Sequence, residues 1–234
     1  MTDTAPLVRI EHLSKTYGRT PALTDLTLDL VPGRITGLVG ENGCGKTTLL
    51  KILAGVLAEW DGRVEIDGRA PGPATKAEVA FLPSADFLDP ALTPEKAIAL
   101  YARFFADFDA DKARATVDFF GLPADRSLKE MSKGMGEKLQ IALVMARRAR
   151  VYLLDEPISG VDPAARDVIL QGMLRDFDEN ALLLVSTHLI ADVEPILDDV
   201  VMLKAGRLLL QGNVDDLRDE HGMSLDRLFR KVYR

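Results

Sequence analysis

The stretch GENGCGKT, Gly40–Thr47, sets three glycines, a lysine and a hydroxyl side chain within eight positions. An apolar run, RITGLVG, leads into it, and KTTLLKILAGVL, with helical spacing of its leucines, leads out. A strand, a glycine-rich turn and a helix in that order form an anion cradle: glycines let the backbone fold closely, and the amides at the helix start point inward. The spacing is that of the G-x-x-x-x-G-K-[ST] phosphate loop. Gly40, Glu41, Asn42, Gly43, Cys44, Gly45, Lys46, Thr47 and Thr48 are therefore expected to hold a nucleotide's phosphates. Lys46 supplies a compact cation to the β- and γ-phosphates, and the Thr47 hydroxyl a ligand for Mg2+.

Such a loop needs a second metal-holding group and a group that orients water. VYLLDEP provides candidates for both. Its continuous apolar residues predict a buried strand whose carboxyl end delivers Asp155, for the magnesium shell, and Glu156. Glu156, one residue on, is expected to face another direction and polarise the attacking water. ALLLVSTH ends another apolar strand with His188, and the carboxyl edge of an open parallel sheet is where ligands bind. His188 joins Lys46 and Glu156 as a catalytic candidate.

Around these elements the pattern changes along the chain. LVRIEHL, LTDLTLDLV and RVEID alternate as strands with one wet face and predict an N-terminal antiparallel sheet. From about 93 to 148, TPEKAIALYARFFADF, ADKARATVDFF and GEKLQIALVMARRA carry apolar residues at helical spacing. VYLLD and ALLLVST, joined by a helix from Pro163 to Phe177, predict a parallel sheet. A short strand pair around VVMLKAGRLLLQG and two small helices close the chain. The expected fold is α/β: a phosphate-loop core with a parallel sheet, an antiparallel β subdomain and an inserted helical subdomain. The reading is a single domain, 1–234, with the helical part at approximately 85–150.

Bulk properties narrow the function. The 234 residues are 47% hydrophobic and 28% charged, with a formal net charge of −7. That balance excludes a nucleic-acid partner held by overall electrostatics. No apolar run approaches the roughly 18 residues that span a bilayer. MTDTAPLVRIEHLSK lacks the basic start and apolar stretch of a secretion leader, and the single cysteine, Cys44, permits no intrachain disulfide. A cytoplasmic protein is expected.

Smaller signals remain. TKAE, Thr75–Glu78, is the nearest string to a guanine-reading N/TKxD motif, but it ends in Glu and precedes a strand, which argues against guanine. Tyr17 is either a stacking platform for adenine or an ordinary half-buried tyrosine. Cys44, at a helix start beside Lys46, is expected to have a lowered pKa and to react readily. The basic tail SLDRLFRKVYR either packs on the chain's own end or docks on a membrane surface. MSKGM, Met131–Met135, combines hydroxyl, charge and flexible backbone before a helix, a second anion site in a chain that already has one.

Taken in order, Tyr17, GENGCGKTT, MSKGM, VYLLDEP, SGVDP and STH resemble the motifs of the ATP-binding cassette (ABC) ATPases across essentially the whole chain. The resemblance implies an ATPase using ATP and Mg2+. It also implies that cassettes pair head to tail, so Ser132 and Gly134 would contact the γ-phosphate held by a second cassette, a homodimer mate or related subunit. Two departures stand out from that family's pattern. Lys133 and Met135 replace residues of its LSGGQ signature; Lys133 either adds charge beside the triphosphate or points to solvent. Ser84 stands where most cassettes have a glutamine that touches magnesium and contacts the membrane subunit; Ser84 acts through water, Asp86 substitutes, or other contacts serve. The implied function is to power a separate integral membrane permease, peripheral on the inner face of the membrane. MSKGM followed by GEKLQ is similar to cassettes of small two-part exporters. The alternative is a soluble cassette in a task such as cofactor assembly.

Overall fold

The computed structural model describes residues 5–233; the first four residues of MTDTAPLVRIEHLSK and Arg234 of the tail lie outside them. Strands β1 (Val8–Tyr17) and β2 (Thr20–Leu30) form a hairpin, followed by β3 (Arg34–Val39), the phosphate loop and α1 (Lys46–Leu53). Next come β4 (Asp61–Ile66), β5 (Val79–Leu82), α2 (Pro94–Phe104), α3 (Ala110–Phe119) and α4 (Lys133–Met145). Strand β6 (Val151–Asp155), α5 (Pro163–Asp176), β7 (Leu182–Thr187) and the single turn α6 (Ile190–Val193) rebuild the core. The chain ends in β8 (Asp199–Lys204), β9 (Arg207–Asn213), α7 (Val214–His221) and α8 (Leu225–Val232).

Two sheets result. One is antiparallel, in the order β2-β1-β4; the other runs β5-β6-β7-β3-β8-β9 and is parallel except at the β8/β9 edge. The parallel strands are apolar throughout because both faces are covered, and alternate residues serve different cores. Tyr152 and Leu154 of β6, with Leu183 and Val185 of β7, face the helices α2 to α5. Val151, Leu153, Leu182 and Leu184 face the other way, toward α1 and the antiparallel sheet. Helix α1 is thus enclosed between the sheets, with Leu49, Leu50, Ile52 and Leu53 all buried. Each such side chain contributes about 1.5–3 kcal/mol of burial, enough to fix the start of α1 against β3.

Two helix boundaries differ from the sequence reading. α1 stops at Leu53, before the expected AGVL, because Gly55 takes the left-handed region (φ 65°). α4 begins inside MSKGM: Ser132 caps it, its Oγ accepting from Met135 N at 3.3 Å. The helices are locked to the sheet by Arg147, 4% exposed, which donates to Val79 O at 2.8 Å and pairs with Asp107 at 3.0 Å. A guanidinium this deep is stable only with such partners. The tail packs on the chain itself, with Leu225 and Leu228 buried in the helical-side core. Among the described residues no helix is long and apolar enough to cross a membrane.

Candidate active site

The phosphate loop leaves β3 and turns into α1 through Gly45, whose φ of 107° suits glycine alone; a Cβ there would lie 2.6 Å from Ala22 O. Lys46 is 5% exposed. Its Nζ donates to Gly40 O at 2.7 Å and to Glu41 O at 3.3 Å, folding the side chain back over the loop. The Thr47 hydroxyl donates to Asp155 Oδ2 at 2.9 Å. Strand order explains that meeting. β6 and β3 flank β7, and α1 starts over the same sheet edge at which β6 ends.

Asp155 is buried, and in the parallel register it stands beside Ser186 of β7, whose Oγ donates to Asp155 Oδ1 at 2.6 Å. Ser186 was missed in the sequence. The only signal was a pair of hydroxyl residues, Ser186 and Thr187, ending an apolar strand, and the use of Ser186 depends on β6 and β7 being neighbours.

Glu156 follows with φ 54°. A non-glycine residue held there costs about 1–3 kcal/mol, which persists only where the surroundings fix it. Its amide is fixed by Ser186, donating to the backbone O and to Oγ, each at 3.1 Å. The expected divergence from Asp155 takes a particular form. Asp155 addresses Thr47 and Ser186, whereas Glu156 Oε2 meets His188 Nδ1 at 2.9 Å and Oε1 lies 3.4 Å from Lys46 Nζ. Both carboxylates still line one cavity of about 360 Å³, together with Asn42, Ser84, Asp86, Glu137, Gln140, Ser159 and His188. A second cavity of about 310 Å³ lies over the loop, walled by Asn42, Gly43, Gly45, Lys46, Thr47 and Thr48, and shares Asn42, Ser84 and Glu156 with the first. Among the described residues, Glu156 Oε1 is buried and accepts no hydrogen bond.

The structure thus brings together Lys46, Thr47, Asp155, Glu156 and His188. Tyr17 lines neither cavity: its ring is 48% exposed at the end of β1, with Lys15 Nζ 5.6 Å from the centroid. Ser132 and Gly134 also lie outside both, in the first turn of α4, where backbone N–H groups lack intrahelical acceptors. Lys133 extends toward Glu137, 3.6 Å away, with a largely exposed side chain.

Cys44 requires a correction. Its thiol is buried, and burial pushes its pKa above the usual thiol range, outweighing the nearby Lys46 charge and its hydrogen bonds. The sequence showed the lysine but not the apolar cluster that Cys44 joins, to which β2, β3 and β8 contribute, nor the Tyr233 hydroxyl beside the thiol.

Thr47 and Asp155 present hard oxygens side by side, the donor type that magnesium takes. Among the described residues no three or more His, Cys, Asp or Glu could cage a metal unaided. The pair therefore fits an ion whose remaining ligands are water and phosphate oxygens, as is usual for magnesium on a nucleotide.

Residues 23–159, well over half of the chain, match the family model described as ABC transporter. An uncharacterized ABC transporter ATP-binding protein of Methanocaldococcus jannaschii is 29% identical over 91% of this chain and 79% of its own length. The Nod factor export ATP-binding protein I of Paraburkholderia xenovorans is 30% identical over 88% of this chain and 70% of its own. A solved ATP-binding subunit of an ABC transporter superposes with a TM-score of 0.86 at 30% identity, covering 97% of this chain and all of that one.

Proposed function

The chain belongs to the ABC transporter family of ATP-binding, ATP-hydrolysing cassettes, and on that footing we propose that it drives a separate membrane permease in the export direction. Export is supported by relatives named for Nod factor export and by the MSKGM–GEKLQ variant of the signature. The permease is a distinct polypeptide, and the chain sits against it on the cytoplasmic face of the membrane. A second cassette completes the assembly.

The observation that carries the site reading is the convergence of Lys46, Thr47, Asp155, Glu156 and His188 on adjoining cavities. In this reading the loop amides and Lys46 bind the β- and γ-phosphates, and Lys46 exchanges its backbone carbonyls for phosphate oxygens. Thr47 and Asp155 hold magnesium, which supplies charge neutralisation across the phosphates. Glu156 Oε1, buried beside the Lys46 ammonium but accepting no hydrogen bond, accepts one from the attacking water and orients it toward the terminal phosphorus. His188 fixes the other oxygen of Glu156, so the carboxylate cannot swing away. Ser186 holds Asp155 and the Glu156 amide and sets the angle between the two acids. Tyr17, exposed outside both cavities, is the stacking partner for adenine. Ser132 and Gly134 reach the γ-phosphate of the partner cassette, and closure and parting of the pair drive the permease.

Affinity purification of the tagged chain from membranes tests the transport role. An integral membrane protein retained with it in stoichiometric amount is the expected result. Recovery in the soluble fraction with no membrane protein would assign it to a non-transport ATPase.

A further inference from the structure

Ser84 is too short to reach as a glutamine would, and the structure shows what stands around it. The turn after β5, Pro83–Asp86, lines the larger cavity together with Asp155 and Glu156. The Asp86 carboxylate is held: Gln140 Nε2 donates to Oδ1 at 2.9 Å. The same amide's Oε1 accepts from Phe87 N at 3.4 Å, so one side chain grips the turn at two points. Gln140 comes from α4, about two turns beyond the Ser132 cap, and is 5% exposed.

That burial is informative. The neighbours Leu139, Ile141, Ala142 and Leu143 are core residues, and an amide among them is costly unless its polar atoms are paired. One partner of this amide, Asp86, lies on the cavity turn, and the other, Phe87, follows it directly. One turn earlier on α4, Glu137 lines the same cavity; its Oε2 is buried with no hydrogen-bond partner among the described residues. Lys133 approaches its other oxygen. The α4 wall of the cavity is therefore polar from the first helical turn to Gln140, on a helix otherwise committed to the core.

We propose that Gln140 is a positioning residue for ATP hydrolysis: it fastens Asp86 to α4, so that the cavity turn and the helix bearing Ser132 respond together when the terminal phosphate is engaged. The inference rests on the proposed nucleotide site and supplies, from 54 residues downstream of Asp86, the reach that Ser84 lacks. Asp86, not Ser84, then carries the contact between the nucleotide side and the helical layer.

The test uses the full chain and three variants: Gln140→Glu, Asp86→Asn, and the two together. Gln140→Glu sets two carboxylates face to face and opens the fastener; the double change restores a donor–acceptor pair with its direction reversed. Amide hydrogen exchange is followed with and without Mg–AMP-PNP, a non-hydrolysable ATP analogue, after thermal melting confirms each variant folded. In the natural chain, nucleotide is expected to protect the phosphate loop, the 84–87 turn and the first turn of α4. In Gln140→Glu, protection stays at the loop but is lost at α4, and kcat falls about tenfold with KM within about twofold. The double variant regains α4 protection and most of the turnover. If Gln140→Glu keeps α4 protection, or the double variant recovers nothing, the inference is overturned. If the natural chain's phosphate loop gains no protection, the nucleotide reading itself fails, and the inference with it. Should Gln140→Glu not fold, Asp86→Ala decides in its place, because it removes the acceptor of the Gln140 amide: normal α4 protection and turnover in that variant would overturn the inference.

Discussion

The phosphate loop and the MSKGM turn both lead into helix N-termini, yet they are finished to different degrees. At the first, Lys46 is buried under two backbone carbonyls, Thr47 is held by Asp155, and Asp155 by Ser186. At the second, Ser132 does no more than cap its own helix, through a 3.3 Å contact to Met135 N, and the neighbouring Lys133 side chain is largely exposed. One half is organised by its own chain. The other is a capped helix N-terminus that lines neither nucleotide-side cavity with Ser132 or Gly134, the form expected of a surface completed by another molecule.

Lys46→Ala strikes the organised half and carries the largest expected effect. It removes the buried cation and leaves Glu156 Oε1 without its counter-charge, so turnover should fall by about 10²–10³-fold, with weaker ATP binding in a fluorescence titration. Near-normal turnover would show that the loop is not the working site. Glu156→Gln keeps shape and removes the base. Hydrolysis should drop by about 10²-fold or more, while Mg-ATP still binds and holds two chains together in size-exclusion chromatography with light scattering. Adding Ser132→Arg to that variant damages only the unfinished half. The double variant should bind ATP and elute as a monomer; a dimer as stable as the single variant's would erase the distinction between the two halves.

Cys44 sharpens the comparison from inside the organised half. Because burial raises its pKa, the thiolate is scarce at neutral pH and appears only as pH climbs beyond the ordinary thiol range. Alkylation at pH 7.5 should run slower than for a free thiol, and Mg-ATP should slow it further. Fast labelling at neutral pH, read by mass spectrometry, would mean that the loop opens readily. The smallest effect belongs to Lys133→Ala: the Lys133 side chain is largely exposed and its i,i+4 contact to the half-buried Glu137 is long, 3.6 Å, so the loss should be about 0.5 kcal/mol and the thermal midpoint should move only slightly.

What was legible in the sequence followed from local rules. VYLLD and ALLLVST declared buried strands because both faces are covered, and GENGCGKT declared its loop because a Cβ at Gly45 has no room. The antiparallel sheet showed through alternation. What stayed hidden depended on neighbours in space. Ser186 gains its role from lying beside Asp155 across a strand pair, and Gln140 reads as one more helix residue until Asp86 is set against it. Cys44 was misjudged for the same reason: the charge beside it is local, but the burial that dominates comes from distant strands. The start of α4 within MSKGM needed the Ser132 cap, which the sequence allowed without requiring.

The sheet order also sets a timetable for the newly made chain. β3, which carries the phosphate loop, lies between β7 and β8, and both of its neighbours are synthesised long after it. Thr47 and Asp155 are 108 residues apart, so at ribosomal speeds of about 5–20 residues per second the loop precedes its carboxylate by roughly 5–20 seconds. Through that interval RITGLV has no strand on either side, an apolar ribbon with free backbone groups that chaperones recognise and aggregates recruit. The loop sequence emerges early, but the pocket exists only once β7 has slotted in beside β3. Nucleotide capture by a nascent chain therefore marks the closing of its central sheet.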